Sequence, residues 1–310
     1  MTDMTDTART TRPAESSGSV SPGRGADLAA RDALHRRRRR RTRWAWGIPL
    51  WLLALLFLLP FAWMISTSLK PDADAFRVPM QWIPSDVRWE NYSAVLFGET
   101  SVLPAFGNSV IVALLRVVGE LATATLAGYA FAKLHFRGRN LVFLGYLATS
   151  LIPAQLLLVP RFVYFQNLGL YDTLGALILP GMFTVLGTFL MRQFFVSQPG
   201  EFAEAARIDG ANEFQIFFRI YLPNAMPMIS ALAILTFVWS WNDFESPLVF
   251  LSSPETYTLP LALTNFTDET GAMAPGVTMA AAVISIIPIL LVFLIFQRRF
   301  VQAMTESALK

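Results

Sequence analysis

No cysteine occurs anywhere in the 310 residues, which excludes disulfides and thiolate chemistry. Histidine is nearly as scarce: His35 and His135 both lie in basic, polar stretches, and no metal-ligand cluster forms around them. The phosphate-binding pattern GxxxxGK is missing, so the chain does not bind and hydrolyse ATP by the P-loop route. It also lacks a hydrolase-type triad and a metalloprotease pair, and it offers no catalytic residue. Charge is thin, at 15% of residues, while apolar residues make up 54% and mean hydropathy is +0.46. That balance is too apolar for an ordinary soluble domain.

What the chain does have is length of apolar sequence. A membrane-spanning helix needs roughly 20 mostly apolar residues. Six segments qualify, at about 46–67, 107–132, 141–164, 170–191, 225–250 and 277–297. Pro153 and Pro180 fall inside two of them and predict kinks, which neighbouring helices in a bundle tolerate. The expected fold is therefore an all-α polytopic membrane protein with six transmembrane helices.

The few charges are unevenly spread. Eleven arginines precede Trp44, in a tail whose first 30 residues have no apolar periodicity and read as disordered. A run such as HRRRRRRTR suits nucleic acid or anionic lipid, but directly before a greasy segment its simplest role is to hold the first helix's start in the cytoplasm. With both termini inside, the inner segments hold 20 of the 25 basic residues. The outer ones hold only Lys70, Arg77, Arg88 and Arg161. The bias runs the expected way at every crossing. The outer connections, about 68–106 and 251–276, have compositions that suit either an external partner or ordinary membrane-edge loops.

One inner stretch, EFAEAARIDGANEFQIFFRIYLPNAMP from Glu201, is too polar to span. Glu201 and Glu204 suit the positive end of a helix opened near Pro199. Ala205, Ala206 and Ile208 make a low surface, and Gly210 allows a turn after Asp209. A second apolar-rich piece runs to Leu222 and Pro223. Two short amphipathic helices meeting at a corner form a knob that either docks another protein or merely spaces two spans.

The order Glu204-Ala205-Ala206, Gly210, Ile220, Leu222-Pro223 resembles the EAA signature of membrane subunits of bacterial ABC importers. The longer EAARIDGA is similar to the carbohydrate-uptake branch, relatives of the second membrane subunit of maltose transporters. ENY at 90–92, NS at 108–109, GYAFAKLHFRGR at 128–139 and WNDFESPLVFL at 241–251 match the same branch, so the resemblance covers about 46–302. It implies a type I ABC importer transmembrane fold, with a basic tail at 1–43, a first helix and external segment at 44–104, and the transmembrane domain at 105–302. That domain would carry a cytoplasmic coupling helix at about 200–222, and a C-terminal tail would follow at 303–310.

The implied function is a permease subunit of an ATP-driven, binding-protein-dependent sugar importer, with a polyol or glycerol-phosphate type solute as the alternative within the class. It implies partners as well: a second homologous permease subunit, two copies of an ABC ATPase that hold the ATP and Mg, an extracytoplasmic solute-binding protein, a sugar and the lipid bilayer, but no nucleic acid. The chain itself would hold no cofactor or metal and would lie in the bacterial inner membrane. Glu204, Ala205, Ala206, Asp209 and Gly210 would face the ATPase, and Leu222-Pro223 would return the chain to the membrane. The tail departs from the family pattern, with Ala303 and Ser307 at usual glycine positions and no final glycine. A gradient-driven secondary transporter would instead require inverted repeats, and no clear repeat is present.

Two polar groups in the spans complete the reading. Arg116 and Glu120 are four apart on a helix and are expected to meet on one face, as a packing pair, a pathway pair or a snorkelling one. Trp239, Trp241, Asn242, Asp243 and Phe244 combine aromatic faces with hydrogen-bonding groups. They suit either contact with a sugar or an aromatic belt at the membrane edge.

Overall fold

A computed structural model describes residues 47–98, 101–266 and 274–308, with side chains through Gln297. The basic tail and the whole 267–273 part of the outer loop lie outside the described residues, as do the side chains of the C-terminal tail. The chain falls into two units, 1–61 and 62–310. All described regular structure is helical.

Helix α1, Gly47–Ser68, is a plain apolar span. In the first unit its residues Trp51, Leu52, Leu55, Leu56 and Phe57 are all exposed, a surface that only hydrocarbon solvates well. The second unit begins within α1 and continues through a short α2, Glu90–Phe97. Asn91 of α2 donates its amide to Ser68 O and Lys70 O at 3.0 and 2.9 Å, which ties α2 to the end of α1.

Helix α3, Leu103–Lys133, is the organising rod. Pro104 at its first turn costs no hydrogen bond. Its buried stripe is made of small residues, Ala105, Ser109, Ala113, Ala124, Thr125 and Gly128 among them. That stripe lets a neighbour approach closely. A Cβ on Gly128 would lie 2.6 Å from Met191 Cβ and 2.8 Å from the Arg192 backbone nitrogen.

The spans expected at 141–164 and 225–250 are not single helices. The first is a bent pair, Arg139–Leu151 and Ala154–Asn167, turning by 87°. It contains α4, Arg139–Ala148, and α5, Leu158–Asn167. Pro153 sits at the break, where its ring clashes with a continuing helix and its missing N–H removes a bond.

The span expected at 170–191 is the helix Gly175–Ser197. It divides locally into α6, Gly175–Gly181, and α7, Val185–Ser197, just after Pro180. Thr184 caps α7 by accepting from Gly187 N at 3.1 Å.

The strip follows as α8, Glu201–Ile208, and α9, Glu213–Ile216. A π-helical segment, Phe217–Tyr221, leads into α10, Leu222–Asn224. After Ala225 comes α11, Met226–Trp241, bent by 72° from the helix before it. Pro223 and Pro227 each occupy a first turn on either side of that joint. The apolar helix ends at Trp241, and the rest of the expected span is a separate α12, Glu245–Phe250. Beyond it lie α13, Leu259–Ala262, and α14, Pro275–Ala308. Among the described residues, four helices are long and apolar enough to cross a membrane, and up to six spans result if each bent pair counts as one.

Candidate functional site

The strip has two faces. Ala203, Ile216, Phe217 and Tyr221 are buried against Met191 and Phe195 of α7 and Tyr129 of α3. Phe202, Ile208 and Phe214 point away and are 66%, 87% and 75% exposed. Glu204, Ala205, Asp209 and Gly210 share that exposed surface, and Ala206 is half-buried. The Glu204 carboxylate makes no ion pair among the described residues. Leu222 is half-buried against the interior cluster and Pro223 is exposed.

Local chemistry explains the corner. Asp209 ends α8, and Gly210 takes the left-handed φ of 84° that a side chain disfavours. Asn212 then opens α9 with a reciprocal cap: its side chain accepts from Gln215 N at 2.9 Å, and its own N–H donates to Gln215 Oε1 at 3.0 Å.

Glu213 fastens the corner in two directions, a role the sequence reading did not assign. Arg207 donates to Glu213 Oε1 at 2.9 Å, joining α8 to α9. That bond raises the already high pKa of Arg207. Tyr129 of α3 donates to Glu213 Oε2, also at 2.9 Å. The Tyr129 ring packs on Phe217, Tyr221 and Phe195 with centroids 4.9, 5.4 and 5.8 Å away. Lys133, at the end of α3, donates to Gln198 O at 2.7 Å. The only local hint was Tyr129 within GYAFAKLHFRGR; its partner lies 84 positions away.

Within the spans, the expected Arg116–Glu120 pair is not formed. Arg116 Nη1 instead donates to Asp243 Oδ2 at 2.9 Å. Glu120, almost fully buried, accepts from Thr236 at 2.8 Å and from Thr184. Its carboxylate therefore knots α3, α7's cap and α11 together. Gly181 lies against the Arg116 side chain, where a Cβ would collide with Arg116 Nε. A four-residue helical spacing allows the pair, but partners outside α3 win both side chains.

The aromatic stretch separates into different environments. Trp241 is core: its indole N–H donates to Ser285 O at 3.0 Å, and Phe237 stacks on it at 5.6 Å. Phe106 covers it edge-on at 5.5 Å, so no ring face remains for a solute. Trp239 and Phe244 are exposed. Asn242 is spent on Val238 O at 2.8 Å, while Asp243 also accepts from Ser246 N at 3.1 Å and so starts α12. Arg161 of α5 lies over the Phe250 ring at 5.1 Å.

At the bundle end opposite the strip, Asp172 closes a clasp the sequence reading did not anticipate. Its carboxylate accepts from Ser252 N at 2.8 Å, Ser253 N at 3.0 Å and Thr256 Oγ1 at 2.8 Å, and also from the Ser253 hydroxyl. These bonds, the Ser252 N–H foremost, hold its pKa well below the usual carboxylate range. Among the described residues no group of three His, Cys, Asp or Glu is arranged to hold a metal.

Comparison with known proteins fits this architecture. The family described as binding-protein-dependent transport system inner membrane component matches residues 124–306. The arabinooligosaccharides transport system permease protein AraQ of Halalkalibacterium halodurans is 34% identical over 279 residues, covering 89% of this chain and 100% of that protein. The trehalose transport system permease protein SugB of Mycobacterium tuberculosis is 34% identical over 82% of this chain and 92% of its own. The sn-glycerol-3-phosphate transport system permease protein UgpE of Yersinia enterocolitica is 32% identical over 82% of this chain and 92% of its own. A solved bacterial ABC transporter involved in import of the acidic polysaccharide alginate superposes with a TM-score of 0.74 at 26% identity, covering 85% of this chain and 98% of that one.

Proposed function

The chain belongs to the binding-protein-dependent transport system inner membrane component family, the membrane permeases of ABC-type importers that couple to an ATPase, and from that premise we propose that it forms half of the pathway of a sugar importer. The other half is a homologous second permease, and two copies of an ABC ATPase supply ATP and Mg. A solute-binding protein delivers the sugar from outside. All six spans are crossed, with both termini and the strip in the cytoplasm, in line with 20 of 25 basic residues falling on that side.

The observation that carries the coupling role is the strip's outward face. Phe202, Ile208 and Phe214 are exposed on a segment outside the apolar helices, while its inner face is locked into the bundle. Exposed apolar residues grouped this way mark a protein contact. Ala205 beside them leaves room for a close approach, and Glu204 supplies an exposed carboxylate that makes no ion pair among the described residues. ATP-driven closure of the ATPases then moves the strip, opens the pathway outward, and hydrolysis resets it.

A sugar is favoured by the relatives named for arabinooligosaccharides and trehalose. A glycerol-phosphate type solute is the second reading, favoured by the relative named for sn-glycerol-3-phosphate. Ala205→Trp, which overfills the contact, and Gly210→Pro, which cannot adopt the φ of 84°, test the docking. Both variants are expected in the membrane at normal abundance, with the ATPase lost on purification. Retention of the ATPase by both would reduce the strip to a connector.

A further inference from the structure

The strip's motion has two routes into the spans, and they differ in stiffness. The route along the chain passes through the π-helical segment and then the 72° joint at Ala225. A joint of that kind absorbs displacement. The route through space is different. Glu213 of the strip holds Tyr129 of α3 at 2.9 Å, and the Tyr129 ring is buried among Phe195, Phe217 and Tyr221. From Tyr129, α3 runs without a break to Arg116, which holds Asp243 at 2.9 Å. Thirteen residues at the helical rise span about 20 Å.

We propose that Tyr129 and Glu213 are positioning residues that make α3 follow the strip, so that α3 carries the ATPase stroke to the Arg116–Asp243 pair. This rests on the docking reading above and adds the path by which the docked strip acts. Three features support it. Glu213 uses one oxygen for Arg207 and the other for Tyr129, so the two strip helices and α3 share one carboxylate. Tyr129 cannot swing aside, because its ring is enclosed on several sides. Near its middle, α3 meets the turn before α12 through Arg116 and Asp243, and Asp243 also accepts from Ser246 N. A hydrogen bond to a charged acceptor is strong enough to bias a two-state helix position about tenfold.

This chain has no cysteine of its own, so a label site introduced in it is unique within it. Spin labels at Leu114→Cys on α3 and Leu248→Cys on α12, both exposed positions, report the distance across the Arg116–Asp243 pair. The full complex with its ATPase is measured without nucleotide and with ATP plus vanadate. The unmodified background should show a nucleotide-dependent distance change. Tyr129→Phe keeps the ring and removes only the hydroxyl, and Glu213→Gln keeps an acceptor but removes the charge.

Each variant should retain the ATPase, yet its shifted population should fall about tenfold. Combining the two should give less than the sum of the single effects, because both weaken the Tyr129–Glu213 bond, while Glu213→Gln also removes the Arg207 ion pair. An undiminished shift in Tyr129→Phe overturns the proposal, as does an unmodified complex in which α3 does not move. Loss of the ATPase from Tyr129→Phe also overturns it, since the bond would then shape the dock rather than carry motion. Ala205→Trp, run alongside, isolates the docking reading: an ATPase still bound there refutes that reading whatever the labels report.

Discussion

Replacing Asp243 with Asn strands Arg116 inside the bundle, and the size of the loss distinguishes the observed pairing from the one expected by spacing. The ion pair is 2.9 Å long with the two side chains 20% and 17% exposed. Fully exposed pairs contribute about 0.2–1 kcal/mol, whereas breaking a fully buried one costs about 3–5 kcal/mol. This pair lies between, so Asp243→Asn should destabilise the chain by about 2 kcal/mol. Asn at 243 can still accept from Ser246 N, which isolates the charge effect from the helix start. Glu120→Gln keeps an acceptor for Thr236 and should cost about 1 kcal/mol.

The sharper quantity is a double-mutant cycle with Arg116→Gln. Its coupling to Asp243→Asn should be about 1–2 kcal/mol, and its coupling to Glu120→Gln below about 0.5 kcal/mol. Reversible unfolding in mixed micelles, followed by tryptophan fluorescence, gives these values. A coupling of Arg116 to Glu120 that equals or exceeds its coupling to Asp243 would refute the arrangement.

Gly128→Leu should prevent proper assembly of α3 with α7, because the added carbons meet backbone at 2.8 Å. Gly119→Ala should be milder, since it meets only the flexible Met182 side chain; melting temperatures of the two variants rank the contacts. Asp172→Asn should loosen the clasp by about 1–3 kcal/mol, seen as faster proteolysis of the 251–257 loop. The Asp172 pKa is depressed, so the clasp contributes fully above the ordinary carboxylate value of about 4 and fades as pH falls through the lowered one. Proteolysis rates of that loop should therefore be level from pH 8 to pH 5, and a steep change within that window would contradict the cause given. Reporter fusions at Gly210 should read cytoplasm and those at Asp74 and Gly169 the outside; an external signal at Gly210 removes the coupling argument.

Much of the fold was legible because hydrocarbon imposes a simple rule on length and composition. The proline breaks at Pro153 and Pro180 were readable for the same reason: a missing N–H is a local fact. The strip's two helices, its turn at Gly210 and its polar first turn also follow from neighbours in sequence. What local reading cannot supply is the choice among distant partners. Arg116 and Glu120 satisfy helical spacing, yet Asp243 lies 127 positions from Arg116 and Thr236 lies 116 from Glu120. Tyr129 and Glu213 are similarly separated, and Trp241 looks like a sugar platform until its ring is found among Phe106 and Phe237. On the strip, the low surface of Ala205, Ala206 and Ile208 was visible in the sequence, while the exposure of Phe202 and Phe214 carried no local signal.

The π-helical turn at Phe217–Tyr221 sets a phase between two parts of the machine. A turn closed by i→i+5 bonds accommodates one residue more than an α turn, and one residue of α-helix corresponds to about 100° of rotation. Upstream of it, Phe214 faces outward; downstream, Ser230, Leu232 and Thr236 face the bundle. Those two orientations coexist because the wide turn absorbs the angular remainder. Removing a single residue there would let the helix wind normally and spare the backbone. It would also swing α11 by roughly a quarter turn against the strip, carrying Thr236 away from Glu120. The facing of the strip relative to α11 thus depends on chain length at this one turn, independently of which side chains occupy it.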